Sequence, residues 1–234
     1  MRLHSVSVGD GPKTAALVHG MTGDGGTWFE VAPWLVGLGY TVTLVDLRGH
    51  GLSPRASSYR ASDLGDDLVD TLPTGMDLIA GHSLGGRALV SAVESLRPRK
   101  TIYLDPAWTV PRDLVISRPL REDGSVMSLG EASGWAPAGW PLSAAHLRSS
   151  LRSQALFDAT MLTDPWWPLP DLVPCEKPVV PSLVALADPT DLVPPALADR
   201  LGAGGYEIRV VPGAGHDLHV THLDALKITI DDWV

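Results

Sequence analysis

The sequence predicts an α/β protein built on a mostly parallel, doubly wound sheet. Apolar stretches of strand length alternate with segments of helical spacing along residues 1–105, and the alternation resumes after residue 178. The connections are short, as is usual when helices cover both faces of a parallel sheet. The run at residues 14–18 is continuously apolar after its first residue, which is typical of a strand buried on both faces.

Turn and capping residues place the individual elements. Gly9-Asp10-Gly11-Pro12 closes the first strand, Gly37 and Gly39 end the first helix, and Ser62 is a helix N-cap. The predicted strands lie at residues 3–8, 14–18, 41–46, 76–80, 101–104, 179–187 and 206–211. The predicted helices lie at residues 24–38, 62–72, 84–96, 196–201 and 218–233.

The alternation breaks between residues 106 and 177, which are rich in proline and tryptophan. Two amphipathic pieces are visible there, around residues 142–151 and 153–162. Long insertions in compact domains usually carry function, so we interpret residues 106–177 as a small helical lid on a core of residues 1–105 and 178–234. An irregular connection without function is the alternative.

Composition limits which class of protein the chain can belong to and which partners it can bind. The 234 residues suffice for one sizeable domain, and the net charge of −9 disfavours nucleic acid as a partner. The single cysteine, Cys175, cannot form an internal disulfide. No run of 18 apolar residues and no signal-peptide core is visible, so we expect a cytoplasmic protein without a membrane partner. The oligomeric state is left open.

The stretch from Gly81 to Gly85 carries the clearest chemical signal. It reads Gly-x-Ser-x-Gly around Ser83 and lies between a predicted strand and a predicted helix. In this context the pattern predicts a sharp turn that exposes the serine hydroxyl above the sheet. A serine hydroxyl must lose its proton as it attacks, so it needs a nearby base, and the base needs a carboxylate to orient it.

The order of serine, acid and histidine along the chain resembles the α/β-hydrolase fold superfamily, in particular its serine esterase and lactonase members. The resemblance covers residues 1–105 and 178–234. It implies that Ser83 is the nucleophile and that His216, in Gly213-Ala214-Gly215-His216, is the general base. A metal face formed by His216, His219 and His222 is disfavoured, so we expect no metal and no cofactor.

The acid is less sharply defined than the serine and the histidine. Asp191 and Asp188 both follow the strand that ends at Ala187, and Asp191 is the predicted triad acid. Its loop departs from the family pattern, since Ala187 stands in place of a glycine and Thr190 in place of the acid. Asp105 is a third candidate, because some lipases carry the acid after that strand; it could instead be a turn residue before Pro106.

The resemblance also implies an oxyanion hole. Its backbone donors would be the N–H groups of Leu84, at the start of the elbow helix, and of Met21, after the His19-Gly20 dipeptide. The Met21 side chain would then line the substrate pocket. Trp108 could also reach the substrate, although each tryptophan of the insertion could equally serve only to pack the lid.

These features predict a cofactor-free serine hydrolase. The expected substrate is a small carboxylic ester or lactone with an apolar or aromatic group, cleaved through an acyl-enzyme. The same triad can cleave amides or carbon–carbon bonds, and Gly85-Gly86-Arg87 resembles relatives that perform an elimination. A protein of this fold that binds a small molecule without catalysis is a further alternative.

Overall fold

A seven-stranded sheet forms the centre of the computed structural model, which describes residues 1–112, 128, 143–163, 165 and 169–234. The strands are β1 (Ser5–Val8), β2 (Lys13–Val18), β3 (Tyr40–Val45), β4 (Leu78–His82), β5 (Thr101–Leu104), β6 (Ser182–Leu186) and β7 (Glu207–Val210). Their spatial order is β1-β3-β2-β4-β5-β6-β7, and only the β1–β3 pair is antiparallel. The predicted mostly parallel sheet is confirmed.

Helices connect the strands and cover both faces. They are α1 (Val31–Gly37), α2 (Ala61–Thr71), α3 (Leu84–Leu96), α4 (Ala144–Leu156), α5 (Pro195–Gly204), α6 (Leu218–Thr221) and α7 (Leu223–Ile230). Short 3₁₀ helices lie at Gly25–Trp28, Ala159–Leu162 and Asp231–Trp233. Because strand side chains alternate in direction, β2 sends Ala16 and Val18 to one core and Ala15 and Leu17 to the other. Helices α2, α3 and α5 cover the first core, and α1, α6 and α7 cover the second.

Two predicted helices are interrupted in the structure. The segment predicted as one helix over residues 24–38 begins as a 3₁₀ helix, whose N-cap Asp24 accepts a hydrogen bond from the Gly26 N–H, and α1 starts only at Val31. The last predicted helix breaks at His222, whose φ of −136° lies outside the helical range, so α6 and α7 are separate. Periodicity alone does not reveal such breaks.

Between β5 and β6 the described part of the predicted lid contains two helical elements, α4 and the 3₁₀ helix Ala159–Leu162. The first predicted amphipathic piece overlaps α4, although its starting residue, Leu142, lies outside the described residues. Helix α4 packs on the 3₁₀ helix Gly25–Trp28, where Arg152 pairs with Asp24 and His146 lies 3.0 Å from a carboxylate oxygen of Glu30. Four tryptophans of the insertion lie outside the described residues: Trp135, Trp140, Trp166 and Trp167.

Candidate active site

The turn between β4 and α3 holds Ser83 in an unusual backbone conformation, with φ at +50° and ψ at −111°. The flanking glycines are required by close backbone contacts. A Cβ atom on Gly81 would lie 2.6 Å from the Gly85 carbonyl oxygen, and one on Gly85 would lie 2.2 Å from the Val18 carbonyl oxygen. Only glycine fits at these two positions, which gives the Gly-x-Ser-x-Gly pattern its physical reason.

A chain of hydrogen bonds joins Ser83, His216 and Asp105. The Ser83 Oγ lies 3.0 Å from His216 Nε2, and His216 Nδ1 lies 2.6 Å from Asp105 Oδ2. The His216 side chain is 41% exposed and the Asp105 side chain 2% exposed, so the imidazole faces the open side of the site while the carboxylate supports it from within. This is the relative placement that a nucleophile, a base and an orienting acid require.

The prediction that Asp191 is the acid is wrong, because Asp105 occupies the position against His216. Asp191 is exposed, and Asp188 is exposed and accepts a hydrogen bond from the Gly213 N–H at 3.1 Å. Asp105 follows the end of β5 with φ at +36°, and its Oδ1 accepts a hydrogen bond from the Ala187 N–H at 3.2 Å. The end of β6, where the sequence places the acid, therefore supplies a backbone N–H group that donates to the Asp105 carboxylate.

The surroundings of His216 favour its charged form. Burial disfavours the imidazolium, but the hydrogen bond to Asp105 and the negative charge of Asp217 outweigh it, so the pKa of His216 is raised above its ordinary value of 6.5. The Asp105 carboxylate is thus placed to stabilise an imidazolium cation at His216.

The two predicted oxyanion donors lie beside Ser83. Leu84 is the first residue of α3, and the N–H groups of a first helical turn have no partner within the helix. Met21 follows Gly20, whose Cα is so close to Ser83 that an added Cβ would lie 3.1 Å from the Ser83 Cβ. The use of these N–H groups as an oxyanion hole stays a prediction.

Trp108 does not lie where the sequence predicted. Its side chain is 0% exposed and belongs to the core that α2, α3 and α5 cover. Its ring centroid is 5.1 Å from that of Tyr103 and 6.5 Å from that of Tyr206. The expectation that Trp108 lines the substrate pocket is therefore wrong; its indole packs the region where the chain leaves β5.

The fold and the site have counterparts among known proteins. The model of the family described as "Alpha/beta hydrolase family" matches residues 16–227, which is most of the chain. The chain belongs to the alpha/beta hydrolase family.

Two curated relatives of this alpha/beta hydrolase match shorter segments. The 2-(acetamidomethylene)succinate hydrolase of Mesorhizobium japonicum is 40% identical over 90 residues, which are 36% of this chain and 31% of that protein. Esterase YbfF of Escherichia coli is 36% identical over 96 residues, which are 39% of this chain and 37% of that protein. The matching segments thus span about a third of the length of these relatives.

A solved structure resembles the whole fold. The N-formylmaleamic acid deformylase of Pseudomonas putida S16 superposes with a TM-score of 0.78 over 97% of this chain and 95% of its own, at 19% sequence identity. At this identity the likeness shows the alpha/beta hydrolase fold alone.

His82, which precedes Ser83, has a structural role that its sequence context does not predict. Its Nε2–H donates to the His216 backbone carbonyl at 3.0 Å, and its ring lies 4.7 Å from the His216 ring. Burial and the nearby His216 ring lower the pKa of His82 well below 6.5, so the ring is neutral and donates through Nε2 alone. His82 thereby ties the histidine loop to the elbow. The motif gives no signal for this, because its second position accepts many residues.

The described part of the chain shows neither a metal cluster nor a membrane span. Within it, no group of three or more histidine, cysteine or acidic residues could hold a metal ion. The His219 ring packs inside the protein, 4.3 Å from the Trp28 ring and 4.5 Å from the His82 ring. No helix among the described residues is long and apolar enough to cross a bilayer.

Proposed function

We propose that this protein is a serine hydrolase that cleaves a small carboxylic ester or lactone through an acyl-enzyme. The observation that carries the proposal is the hydrogen-bonded chain from Ser83 through His216 to Asp105. The relative named as an esterase, YbfF of Escherichia coli, supports an ester as the bond cleaved. The reaction needs no cofactor.

The chemistry follows from the three side chains. Ser83 Oγ attacks the substrate carbonyl carbon while His216 Nε2 takes the hydroxyl proton, and Asp105 stabilises the resulting imidazolium. The tetrahedral intermediate collapses, the carbon–oxygen bond to the alcohol breaks, and His216 returns the proton to the leaving alkoxide. Water then attacks the acyl-enzyme with His216 as base, which releases the acid and restores Ser83.

The negative charge that develops on the carbonyl oxygen needs donors fixed in advance. We assign them to the backbone N–H groups of Leu84 and Met21. Removal of one such donor typically lowers kcat by about 10² to 10³. The N-terminal end of α3 adds the favourable field of a helix dipole at the same place.

We also propose that residues 106–177 act as a lid and that the substrate carries an apolar or aromatic group. Support for the lid comes from α4, which packs on the 3₁₀ helix directly after the 19–23 loop. Support for the apolar group comes from Met21, which is partly buried and packs against the core beside Ser83. An apolar wall with few polar groups is typical of small-molecule sites.

Labelling with a fluorophosphonate probe tests the proposed function. We expect the wild type to be labelled and to hydrolyse p-nitrophenyl esters, and Ser83→Ala to lose both properties. Ser91→Ala is a matched control, because Ser91 is exposed on the same helix and should leave labelling and turnover unchanged.

Wild-type protein that remains unlabelled and turns over no ester would contradict the proposal and favour a non-catalytic binding protein. Labelling together with turnover of p-nitrophenyl amides, but not of esters, would keep the nucleophile and replace the ester by an amide. A series of acyl chain lengths, compared at equal protein concentration, would test the preference for an apolar group.

A further inference from the structure

The turn that carries Met21 is strained. The Gly23 N–H donates to the Gly20 carbonyl at 3.1 Å and closes a four-residue turn, in which Thr22 occupies the third position with φ at +65°. This backbone region favours glycine, and a β-branched residue there is a genuine outlier. Such strain persists only where the surroundings hold the residue in place.

His50, on the 47–53 loop after β3, holds this turn. The Thr22 N–H donates to His50 Nε2 at 3.2 Å. The His50 ring is 0% exposed, and its Nδ1–H donates to the Arg48 carbonyl at 2.9 Å. A carbonyl can only accept, so the proton of the neutral ring resides on Nδ1 and Nε2 is left free to accept from Thr22.

His19 makes the reciprocal connection. Its Nδ1–H donates to the Gly20 carbonyl at 2.7 Å, and its Nε2 accepts from the Leu47 N–H at 3.0 Å. The rings of His19 and His50 lie 4.9 Å apart. Each loop thus contributes one buried imidazole whose Nε2 accepts a hydrogen bond from the backbone of the other loop. Both rings have the same tautomer.

Both rings must be neutral for this arrangement. Burial and the nearby His19 lower the pKa of His50 to about 3, and burial also lowers the pKa of His19. The charged groups near the pair are Asp24 and Asp46 around His19 and Asp158 beside His50. Their negative charges do not overcome burial, so both acceptor nitrogens persist at neutral pH.

The same loop contacts the described part of the insertion. The Asp158 N–H donates to the Gly49 carbonyl at 2.7 Å, and the Phe157 ring lies 4.8 Å from the His50 ring. Contacts with the insertion therefore hold His50 and its loop in place, in addition to the hydrogen bonds to Thr22 and Arg48. The 19–23 turn, the 47–53 loop and the end of α4 form one packed layer beside Ser83.

We propose that His50 is a positioning residue for the reaction, because its Nε2 holds Thr22 in the left-handed conformation that aims the Met21 N–H at the oxyanion. The inference rests on the proposed function. It predicts that loss of the acceptor affects the transition state and leaves ground-state binding unchanged, since the oxyanion charge develops only during reaction.

Two substitutions of His50 separate the acceptor from the rest of the ring. His50→Asn keeps a donor for the Arg48 carbonyl but removes the acceptor, and we expect kcat to fall about 10²-fold with little change in KM. His50→Gln places an amide oxygen near the former Nε2 and should recover most of the lost kcat. A trifluoromethyl ketone, which forms a hemiketal oxyanion on Ser83, should bind His50→Asn more weakly by a factor that matches the loss in kcat/KM.

A double-mutant cycle with Thr22→Gly distinguishes positioning from a merely structural role. Glycine adopts the left-handed conformation without strain, so the turn no longer needs to be held. The loss of kcat caused by His50→Asn should therefore be at least tenfold smaller in the Thr22→Gly background. If His50→Asn alone does not fold, two comparisons of kcat replace it. The first compares His50→Gln with wild type, and the second compares the double variant with Thr22→Gly.

The outcomes separate this inference from the proposed function. Wild-type protein that reacts with neither the fluorophosphonate nor an ester would overturn both. Wild-type protein that reacts, together with unchanged kcat and ketone affinity in His50→Asn, would overturn only the role of His50. Additive effects in the cycle would also overturn it, since they would show that His50 and Thr22 do not act together.

Discussion

The ends of β5 and β6 lie side by side in the sheet, and an aspartate lies within two residues of each end, yet these aspartates serve the site differently. Asp105, after β5, is buried and bonded to His216, whereas Asp188 and Asp191, after β6, are exposed. The end of β6 contributes the Ala187 N–H, which holds the Asp105 carboxylate in place. An acid at a strand end therefore reaches the imidazole only when its neighbours orient it toward the ring.

Neutralising each acid in turn gives the largest expected difference between the two strand ends. Asp105→Asn can still accept from the Ala187 N–H, but its amide would face His216 and favour the wrong tautomer. We expect kcat/KM for a p-nitrophenyl ester to fall about 10⁴-fold. Asp191→Asn and Asp188→Asn are the matched controls and should stay within about twofold of wild type, because exposed carboxylates away from the imidazole contribute little.

A wild-type rate for Asp105→Asn, together with a large loss in Asp191→Asn, would show that the β6 loop rearranges to supply the acid. That result would reverse the assignment made from the structure.

The pH dependence of catalysis also distinguishes Asp105 from Asp191. His216 must be neutral to accept the serine proton, and its pKa is raised above 6.5, so kcat/KM should decline as the pH falls through a value above 6.5. Asp105→Asn removes a cause of the raised pKa and leaves burial, which lowers it. The acid limb of its residual activity should therefore move to lower pH, whereas Asp191→Asn should keep the wild-type limb. An unmoved limb in Asp105→Asn would contradict the assignment.

Stability gives the smallest contrast between the two strand ends. Asp105→Ala leaves the buried Ala187 N–H without its acceptor, which typically costs about 1–3 kcal/mol in the free energy of unfolding. Asp191→Ala removes an exposed side chain and should unfold at the wild-type denaturant concentration. Urea unfolding followed by circular dichroism measures both. Equal midpoints for the two variants would show that Asp105 does not support the end of β6.

Much of the fold could be predicted because its signals are local. The elbow helix Leu84–Leu96 and the strand Thr101–Leu104 begin and end at the predicted residues, since glycines and charged residues mark their limits. The break at His222 could not be predicted, because the apolar spacing continues across it. Ser83 and His216 could be paired because the order of serine, acid and histidine along the chain resembles the family pattern.

The acid could not be identified in the same way. Asp105 precedes a proline, so a role as a turn residue is a sufficient explanation for it. Its positive φ cannot be predicted from the presence of an aspartate in the sequence. Whether Asp105 or Asp191 reaches His216 depends on how the histidine loop crosses the ends of β5 and β6. Likewise, Trp108 could face the pocket or the core depending on the turn after Asp105, and the structure places it in the core.

Four buried histidines whose pKa values are lowered in the folded protein make folding at low pH a proton-release reaction. In the unfolded chain His19, His50, His82 and His219 titrate near their ordinary value of 6.5, whereas in the folded protein their pKa values are lowered, mainly by burial. Below pH 6.5 the unfolded chain therefore holds protons that it must shed in order to fold. The contribution of these histidines to the free energy of unfolding is fully present above that pH. It declines on acidification by about 1.4 kcal/mol per pH unit for each such group. His216 acts in the opposite direction: because its pKa is raised on folding, its stabilising contribution is fully present below pH 6.5 and is lost as the pH rises through the raised value. The imidazoles that order the loops around Ser83 thus also determine how far the pH can fall before the protein unfolds.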